Sequence, residues 1–216
     1  MPRRSGICPA GIPLHVVLRG HNRQVCFHDV SDRATFYMFL GRHASEYGLS
    51  VHAWALMDNH AHLLVTAHAH DAVSFVKRLS QHYARYYTTK YKHIGKLWET
   101  RFQSCFVEPG PFFLHCQRYI ELNPVMARVV SHPDSFQWSS YGNHARGMKT
   151  KFHTPHDCYL ELHSDPVIRQ LRYQNFVANP PPMGTADQIR DAVMSGRALG
   201  SEAFRERLSK VTGSGD

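Results

Sequence analysis

Short apolar runs alternate with longer stretches of helical periodicity over the first 130 residues of the chain. Runs that are rich in β-branched residues or alternate in polarity are typical of strands, whereas apolar residues three and four apart are typical of helices. These patterns predict strands at residues 12–19, 49–57, 60–66 and 96–107. They predict helices at residues 31–47 and 71–87, and a third helix that begins at Pro111.

The predicted order is β-α-β-β-α-β-α, which contains the split βαββαβ pattern of ferredoxin-like folds. We therefore predict an α+β fold in which helices cover an antiparallel sheet and a further helix follows the fourth strand. Asp58 and Asn59 are predicted to form the hairpin turn between the second and third strands. Strict alternation would place Leu49, Val51, Ala53 and Ala55 on one face of the second strand.

The chain changes character after residue 130, where proline, histidine and polar residues become frequent. We divide it into a core at residues 1–145 and a C-terminal helical or irregular extension at residues 146–216. Two short helices are predicted in the extension. One covers residues 185–194 and opens with Thr185 and Gln188 at capping-box spacing, and the other covers residues 202–210 with Ser201 as its N-cap.

Charge and cysteine usage narrow the function classes. The 216 residues include 25 Lys and Arg against 17 Asp and Glu, a formal charge of +8. Such a balance favours a polyanionic partner, although a merely basic cytosolic protein would show it as well. The five cysteines are widely spaced without a C-x-x-C pair, which argues against a disulfide framework and a thiolate zinc cluster. Without a recognisable signal peptide or membrane-spanning run, we expect a cytoplasmic protein.

His60-Ala61-His62 opens the third predicted strand. Residues two apart in a strand face the same side, so the two imidazoles would lie next to each other as ligands for one divalent ion. The pattern alone is a weak signal, because 17 histidines make such a pair a frequent coincidence. Other histidines are expected on the surface, namely His43, His68, His70 and His144.

Tyr119 and Asn123 are four residues apart on the third predicted helix and therefore lie on one face of the same turn. A tyrosine hydroxyl near a metal ion can attack a phosphodiester and form a covalent intermediate. The structural alternative is that Tyr119 is a half-buried helix residue and that Asn123 ends the helix before Pro124. Spacing alone favours this alternative.

Five sequence blocks between residues 10 and 145 carry a resemblance to a known family. They read HVVLRGHNRQVCF, WALMDNHAHLLV, VKRLSQHYARYY, GKLWETRF and RYIELNPV. In this order they resemble the REP-associated tyrosine transposases, a branch of the single-tyrosine transposases in the HUH superfamily of single-stranded DNA endonucleases. The resemblance implies that His60 and His62 bind the metal, that Tyr119 is the nucleophile and that Asn123 is the third ligand.

The resemblance also implies an activity and its partners. Relatives use Mg²⁺ or Mn²⁺ to cut single-stranded DNA, leave a 5′-phosphotyrosine and a free 3′-hydroxyl, and recognise a DNA hairpin with a short guide sequence beside it. Because imidazole ligands are softer than Mg²⁺ prefers, we expect Mn²⁺ to bind more tightly. Relatives of this branch further imply a monomer that acts in cis on repeated palindromic elements.

Two residues depart from the family pattern. Relatives usually have Pro-Asn before the histidine pair, and this chain has Asp58-Asn59. Asp58 is either a turn residue or an additional group near the metal, and we favour the turn. Relatives usually continue with arginine after Asn-Pro-Val, and here Met126 stands in that place, which puts a phosphate contact in doubt.

Basic residues on and after the second predicted helix are candidates for contacts with the DNA backbone. Each is equally compatible with a solvated surface charge. The basic candidates are Lys77, Arg78, Arg85, Lys90, Lys92, Lys96 and Arg101. The candidates for base stacking are Trp98, Phe102 and Trp138, of which the first two, predicted on a strand, are better explained by core packing.

The sequence thus favours a metal-dependent, tyrosine-using endonuclease and strand transferase. The changes at Asp58 and Met126 leave open a second hypothesis, a hairpin-binding protein derived from a transposase that no longer cleaves DNA. An HUH replication initiator or relaxase ranks last, because the single tyrosine and the tail after residue 130 do not fit that pattern.

Overall fold

The computed structural model describes residues 9–69, 72–99 and 101–212, which form four strands and eight α-helices. The strands are β1 Pro13–Arg19, β2 Leu49–Met57, β3 His60–Ala67 and β4 Gln103–Phe106. The helices are α1 Val30–Glu46, α2 Ala72–Tyr91, α3 Pro111–Met126, α4 Tyr141–Arg146, α5 Asp157–Leu160, α6 Pro166–Ala178, α7 Thr185–Ser195 and α8 Glu202–Thr212. Asp71, where the second helix was predicted to begin, lies outside the described residues.

The four strands form one antiparallel sheet in the order β2-β3-β1-β4. The chain order β1-α1-β2-β3-α2-β4-α3 confirms the predicted α+β class and its βαββαβ core. In the part of the chain that the structure describes, no helix is both long and apolar enough to cross a bilayer. The cytoplasmic location stays a prediction.

Each face of the sheet carries its own hydrophobic cluster. On one face, α1 and α2 pack through fully buried side chains such as Phe36, Phe75 and Leu79. On the other face, α3 packs through Phe113 and Ile120. Because strand side chains alternate between faces, residues of β1 and β3 contribute to both clusters in turn.

The predicted faces of β2 are wrong for the beginning of the strand. The pairing of β2 with β3 shifts between Val51 and Ala53, and this bulge reverses the alternation. Val51 therefore packs with the α1 and α2 cluster, whereas Ala53 and Ala55 face α3. These small side chains allow α3 to approach the strand closely.

β4 is shorter than the predicted strand over residues 96–107. Val17 of β1 pairs with Gln103, but Gly20 forms an isolated bridge with Trp98, so the register changes between the two points. The continuous ladder ends there, and Trp98 lies outside the strand. Its indole Nε1 donates to Ser80 O at 3.0 Å, and its ring packs against the α1 and α2 cluster.

The extension contains four helices within its described residues, α5 to α8, instead of the two that were predicted. The missed helix α6 leaves Val167, Ile168 and Leu171 exposed, so its apolar residues do not form one buried stripe. The start signal was present, because Asp165 caps α6 by accepting from two backbone N–H groups and proline follows it. The boundary between core and extension at residue 145 stays a prediction.

Both caps predicted for the last two helices can be compared with the structure. Gly184, in a left-handed conformation with φ 80°, precedes α7, so Thr185 is its first residue and not its N-cap. The Ser201 hydroxyl accepts from Phe204 N at 3.2 Å, which confirms Ser201 as the cap of α8.

Two histidines that were predicted on the surface are fully buried. His43 contacts Glu46 at 2.7 Å, and His144 contacts Glu121 at the same distance. A buried imidazole needs such polar partners. Glu46 is one helical turn from His43, whereas the fold brings Glu121 to His144 from another helix. His68 is exposed as predicted, and His70 lies outside the described residues.

Glu121 is a fully buried carboxylate that joins α3 to the elements that follow it. Its Oε1 accepts from Ser140 Oγ at 2.6 Å and contacts His144 Nδ1 at 2.7 Å. Its Oε2 accepts from the Tyr173 hydroxyl of α6 at 2.6 Å. Because these partners surround one side of α3, the network determines which side of the helix faces the sheet.

We predict that Glu121→Ala destabilises the protein by roughly 3–5 kcal/mol, because it leaves the polar groups of Ser140, His144 and Tyr173 buried without their acceptor. Urea unfolding followed by circular dichroism measures the loss. Glu206→Ala, on the exposed side of α8, is the control and should leave the midpoint unchanged. A midpoint equal to wild type for Glu121→Ala would contradict the assigned role of the network.

Candidate metal and nucleophile site

The site is built on the sheet face that α3 covers. Val17 of β1 pairs with His62 and Arg19 pairs with His60, so His15 and Arg19 share a face with the histidine pair. These side chains line a cavity of about 250 Å³. The strand alternation in residues 15–19 could have identified His15 and Arg19, but the sequence prediction missed both.

Helix α3 supplies Tyr119 and Asn123 to the same cavity. Pro111 is its first residue, as predicted, but the helix does not end at Asn123 and continues through Pro124 to Met126. Asn123 O accepts from Ala127 N at 2.9 Å, so the asparagine lies within the last turns. The explanation of Asn123 as a helix terminator is therefore wrong, and its side chain is directed at His60.

His60 lies between two amide oxygens. Its Nδ1 is 2.6 Å from Asn59 Oδ1, and its Nε2 is 3.2 Å from Asn123 Oδ1. A neutral imidazole has only one N–H, so it cannot donate to both oxygens. If Nδ1–H donates to Asn59, two lone pairs face each other across the second contact. Either a cation between them or a rotation of the Asn123 amide resolves this.

The 3.2 Å between His60 Nε2 and Asn123 Oδ1 suits a divalent ion. Two ligands each about 2.1 Å from an ion and at right angles to one another are about 3 Å apart. Within the described residues, no group of three His, Cys, Asp or Glu side chains could hold a metal. A metal site here therefore depends on the Asn123 amide together with the two histidines.

His62 is oriented by a third histidine. Its Nδ1 is 2.9 Å from Nε2 of His15, and both side chains are buried. Coordination of a metal through Nε2 of His62 requires that Nδ1–H donates to His15. Such a second hydrogen bond commonly fixes the ring and tautomer of a metal-binding histidine. His15 is thus a positioning residue for the candidate ligand.

Burial keeps all three imidazoles uncharged at neutral pH. Desolvation lowers the pKa of His60 to about 4 and that of His15 to about 3. It also lowers the pKa of His62 well below the usual value, and the neighbouring His60 and His15 add to the effect. Neutral imidazoles are the form that binds metal ions.

Tyr119 is half-buried, and its ring meets His62 edge-on at 5.9 Å between centroids. Burial raises the pKa of its hydroxyl, whereas the nearby Arg190 and Arg19 lower it. The phenol is therefore protonated at neutral pH and needs help to act as a nucleophile. Arg190 belongs to α7 in the extension, and no sequence signal connected it with Tyr119.

Asp58 lies in the β2–β3 turn and pairs with Arg33 of α1. The carboxylate is largely exposed, at 64%. The backbone carbonyl oxygen of Asp58 accepts hydrogen bonds from Cys26 N and Phe27 N at 2.8 and 2.9 Å. These contacts support the interpretation of Asp58 as a turn residue.

The predicted DNA-binding residues fall into two groups. Exposed Lys77, Arg78 and Arg85 lie on α2, which covers the opposite face of the sheet from the cavity. Exposed Lys96 and Arg101 belong to the segment between α2 and β4, near the end of β1 that carries Arg19. Only the second group lies next to the strand end whose Arg19 lines the cavity, and the role of both groups stays a prediction.

Several other residues that were candidates for DNA binding make contacts within the protein. The Lys90 ammonium pairs with Asp29 and Asp32 at 2.8 and 2.7 Å. The rings of Phe102 and Trp138 are partly buried against the α1 and α2 cluster, as is Trp98. Core packing therefore accounts for these aromatic residues.

The chain matches the model of a known family, described as "Transposase IS200 like", over residues 10–123. The matched segment covers more than half of the 216 residues and includes the histidine pair, Tyr119 and Asn123. Comparison with the curated proteins finds no match.

Two solved structures are similar to this chain. A REP-associated tyrosine transposase bound to a REP hairpin is 16% identical, with a TM-score of 0.58, and the match covers 72% of this chain and 93% of that one. This similarity supports the fold. A Deinococcus radiodurans R1 protein is 22% identical, with a TM-score of 0.38, and the match covers 50% of this chain and 88% of that one.

We predict that the imidazole of His60 in the metal-free protein stays uncharged down to about pH 5, since its pKa is lowered to about 4. The unfolded chain then binds more protons than the folded one, so this histidine should reduce stability as the pH falls from about 6.5 to 4. NMR titration of the ring signals, assigned with His60→Ala, measures the midpoint. A midpoint above pH 6 would contradict the burial of the site.

Proposed function

Because the chain belongs to the family of IS200-like transposases, we propose that it is a metal-dependent single-stranded DNA endonuclease and strand transferase that acts beside DNA hairpins. One observation carries the proposal. Tyr119, His60, His62 and Asn123 line a single cavity, although β3 and α3 are far apart in the sequence. A tyrosine with a purely structural role would not require these potential ligands around it.

The reaction follows from the chemistry of the phenol. The Tyr119 oxygen attacks phosphorus, a phosphotyrosine bond forms, and the bond from phosphorus to the 3′ oxygen breaks. The DNA is left with a 5′-phosphotyrosine and a free 3′-hydroxyl. Reversal of the step by another 3′-hydroxyl would join a new strand, which is the transfer step of a transposase.

His60, His62 and Asn123 are the residues that would hold Mg²⁺ or Mn²⁺. A bound divalent ion polarises the scissile phosphate as a Lewis acid and orients it. The neutral imidazoles and the amide oxygen leave the ion's charge uncompensated, which favours a phosphate as an additional ligand. On ligand type, Mn²⁺ should bind more tightly than Mg²⁺.

Single-stranded DNA with a hairpin, as in a repeated palindromic element, is the proposed substrate. The similar solved transposase is bound to a REP hairpin. The formal charge of +8 favours such a polyanion, and exposed Lys96 and Arg101 belong to the segment that bonds to the Arg19 end of β1. We propose a monomer as the acting unit.

The central test is covalent capture of DNA. A labelled single-stranded hairpin oligonucleotide incubated with the protein and Mn²⁺ should yield an adduct on a denaturing gel. Tyr119→Phe should abolish the adduct, because it removes the nucleophilic oxygen and keeps the ring. His60→Ala or a chelator should reduce it by about 100-fold or more, because the ion supplies several kcal/mol of stabilisation.

An adduct that persists in Tyr119→Phe would exclude Tyr119 as the nucleophile. An adduct whose yield does not change when a chelator is added would exclude the metal site. Tyr37→Phe is a matched control on α1, outside the cavity, and should leave the adduct unchanged. Hairpin affinity without an adduct under every metal condition would instead support a non-catalytic hairpin-binding protein.

We predict that Lys96→Gln and Arg101→Gln each weaken hairpin binding at all sequences and reduce the slope of log affinity against log salt by about one. Fluorescence anisotropy at several salt concentrations measures both quantities. Arg78→Gln is the matched comparison, because its charge lies on the far side of the sheet. Equal losses for Arg78→Gln would show that the DNA also contacts α2.

A further inference from the structure

Arg190 is the extension residue that reaches the candidate nucleophile. It lies on α7, which lines the cavity through Arg190, Val193 and Met194. Tyr119 lines the same cavity, and the guanidinium is close enough to lower the pKa of the Tyr119 hydroxyl. A residue outside the matched family segment therefore lines the cavity beside the candidate nucleophile.

The segment after α7 holds this helix in position. Leu199 forms a parallel bridge with Val107 beside β4, with Leu199 N donating to Phe106 O and Glu108 N donating to Leu199 O, both at 2.8 Å. Ser201 N donates to the Glu108 carboxylate at 2.6 Å. The inner side of α7 is also buried in the cluster that contains α3. These contacts make α7 a fixed wall of the cavity.

The cavity is suited to an anion. Among the described residues that line it, the permanently charged side chains are Arg19 and Arg190, and none is a carboxylate. A guanidinium can bind a phosphate through two parallel N–H groups. Arg190 Nη1 pairs with Asp187 at 2.8 Å, but both side chains are largely exposed. An exposed pair of this kind is weak, so the remaining N–H groups can serve a phosphate.

Given the proposed strand cleavage, on which this inference rests, we propose that Arg190 is a catalytic residue that orients the Tyr119 hydroxyl and binds the scissile phosphate. As the phenolic oxygen bonds to phosphorus, the bond to the 3′ oxygen breaks. The phenolic proton passes to solvent, and the departing 3′ oxygen takes a proton from solvent. A guanidinium that is already in place stabilises the charge that builds up on the phosphoryl oxygens.

Single-turnover kinetics of adduct formation test the proposal, with excess protein, labelled hairpin oligonucleotide and Mn²⁺. Arg190→Gln should lower the maximal rate by about 100-fold with a far smaller change in hairpin affinity. Arg190→Lys keeps the charge and should recover part of the rate. Arg197→Gln is the matched control, because it follows α7, is exposed and does not line the cavity, and it should react like wild type.

A rescue experiment separates chemistry from folding. Met126 lines the same cavity and is 46% exposed, so the side chain of an arginine at this position can extend into the cavity from α3. Met126→Arg in the Arg190→Gln background should raise the rate by about tenfold. The thermal unfolding midpoints of all variants should match wild type, because both positions are exposed.

A wild-type rate for Arg190→Gln would overturn the proposal. A faster rate would overturn it as well, and would show that the contact restrains Tyr119. If wild-type protein forms no adduct, the strand cleavage itself fails and the role of Arg190 fails with it. That result is distinct, because it is obtained before any substitution is made.

Discussion

The register of β1 on β3 is the constraint on which the site depends. Val17 lies opposite His62 and Arg19 opposite His60, so the cavity floor is assembled from alternate residues of two strands. A slip by one residue would move the side chains of the β3 histidine pair to the opposite face of the sheet, where they would point at the α1 and α2 cluster. Since the central strands are packed on both faces, such a slip would place the imidazoles among apolar side chains and move apolar side chains into the cavity. Packing thus fixes the positions of the candidate ligands.

The site also depends on the orientation of α3. Contacts on the side of the helix away from the cavity fix this orientation. Tyr119 and Asn123 face the cavity, whereas Glu121 is buried among partners from α4, α6 and the loop before α4. Packing and chemistry therefore occupy different sides of one helix. The extension belongs to this arrangement, because Tyr173 of α6 holds one oxygen of the carboxylate.

Local patterns were sufficient for the core of the fold and for part of the site. The β2–β3 turn at Asp58 and Asn59 and the one-turn spacing of Tyr119 and Asn123 are properties of neighbouring residues, so a sequence shows them. The bulge in β2 depends on the partner strand, so it has no local signature. Helix α6 has a start signal in Asp165 and Pro166, but several of its apolar residues are exposed, so its helical periodicity is weak. The contact of His15 with His62 and the shared cavity of Arg190 and Tyr119 arise only when distant segments meet.

Burial decides how charge can be supplied to this site. The imidazoles on the cavity floor are too desolvated to take up a second proton at neutral pH, so they provide lone pairs but no positive charge. A phosphate nevertheless needs cations, and guanidinium groups keep their charge in such surroundings. Arg19 comes from the sheet and Arg190 from the opposite wall, where its side chain stays mostly in water. A helix of the extension can therefore add what the buried floor cannot, a permanent positive charge next to the tyrosine oxygen.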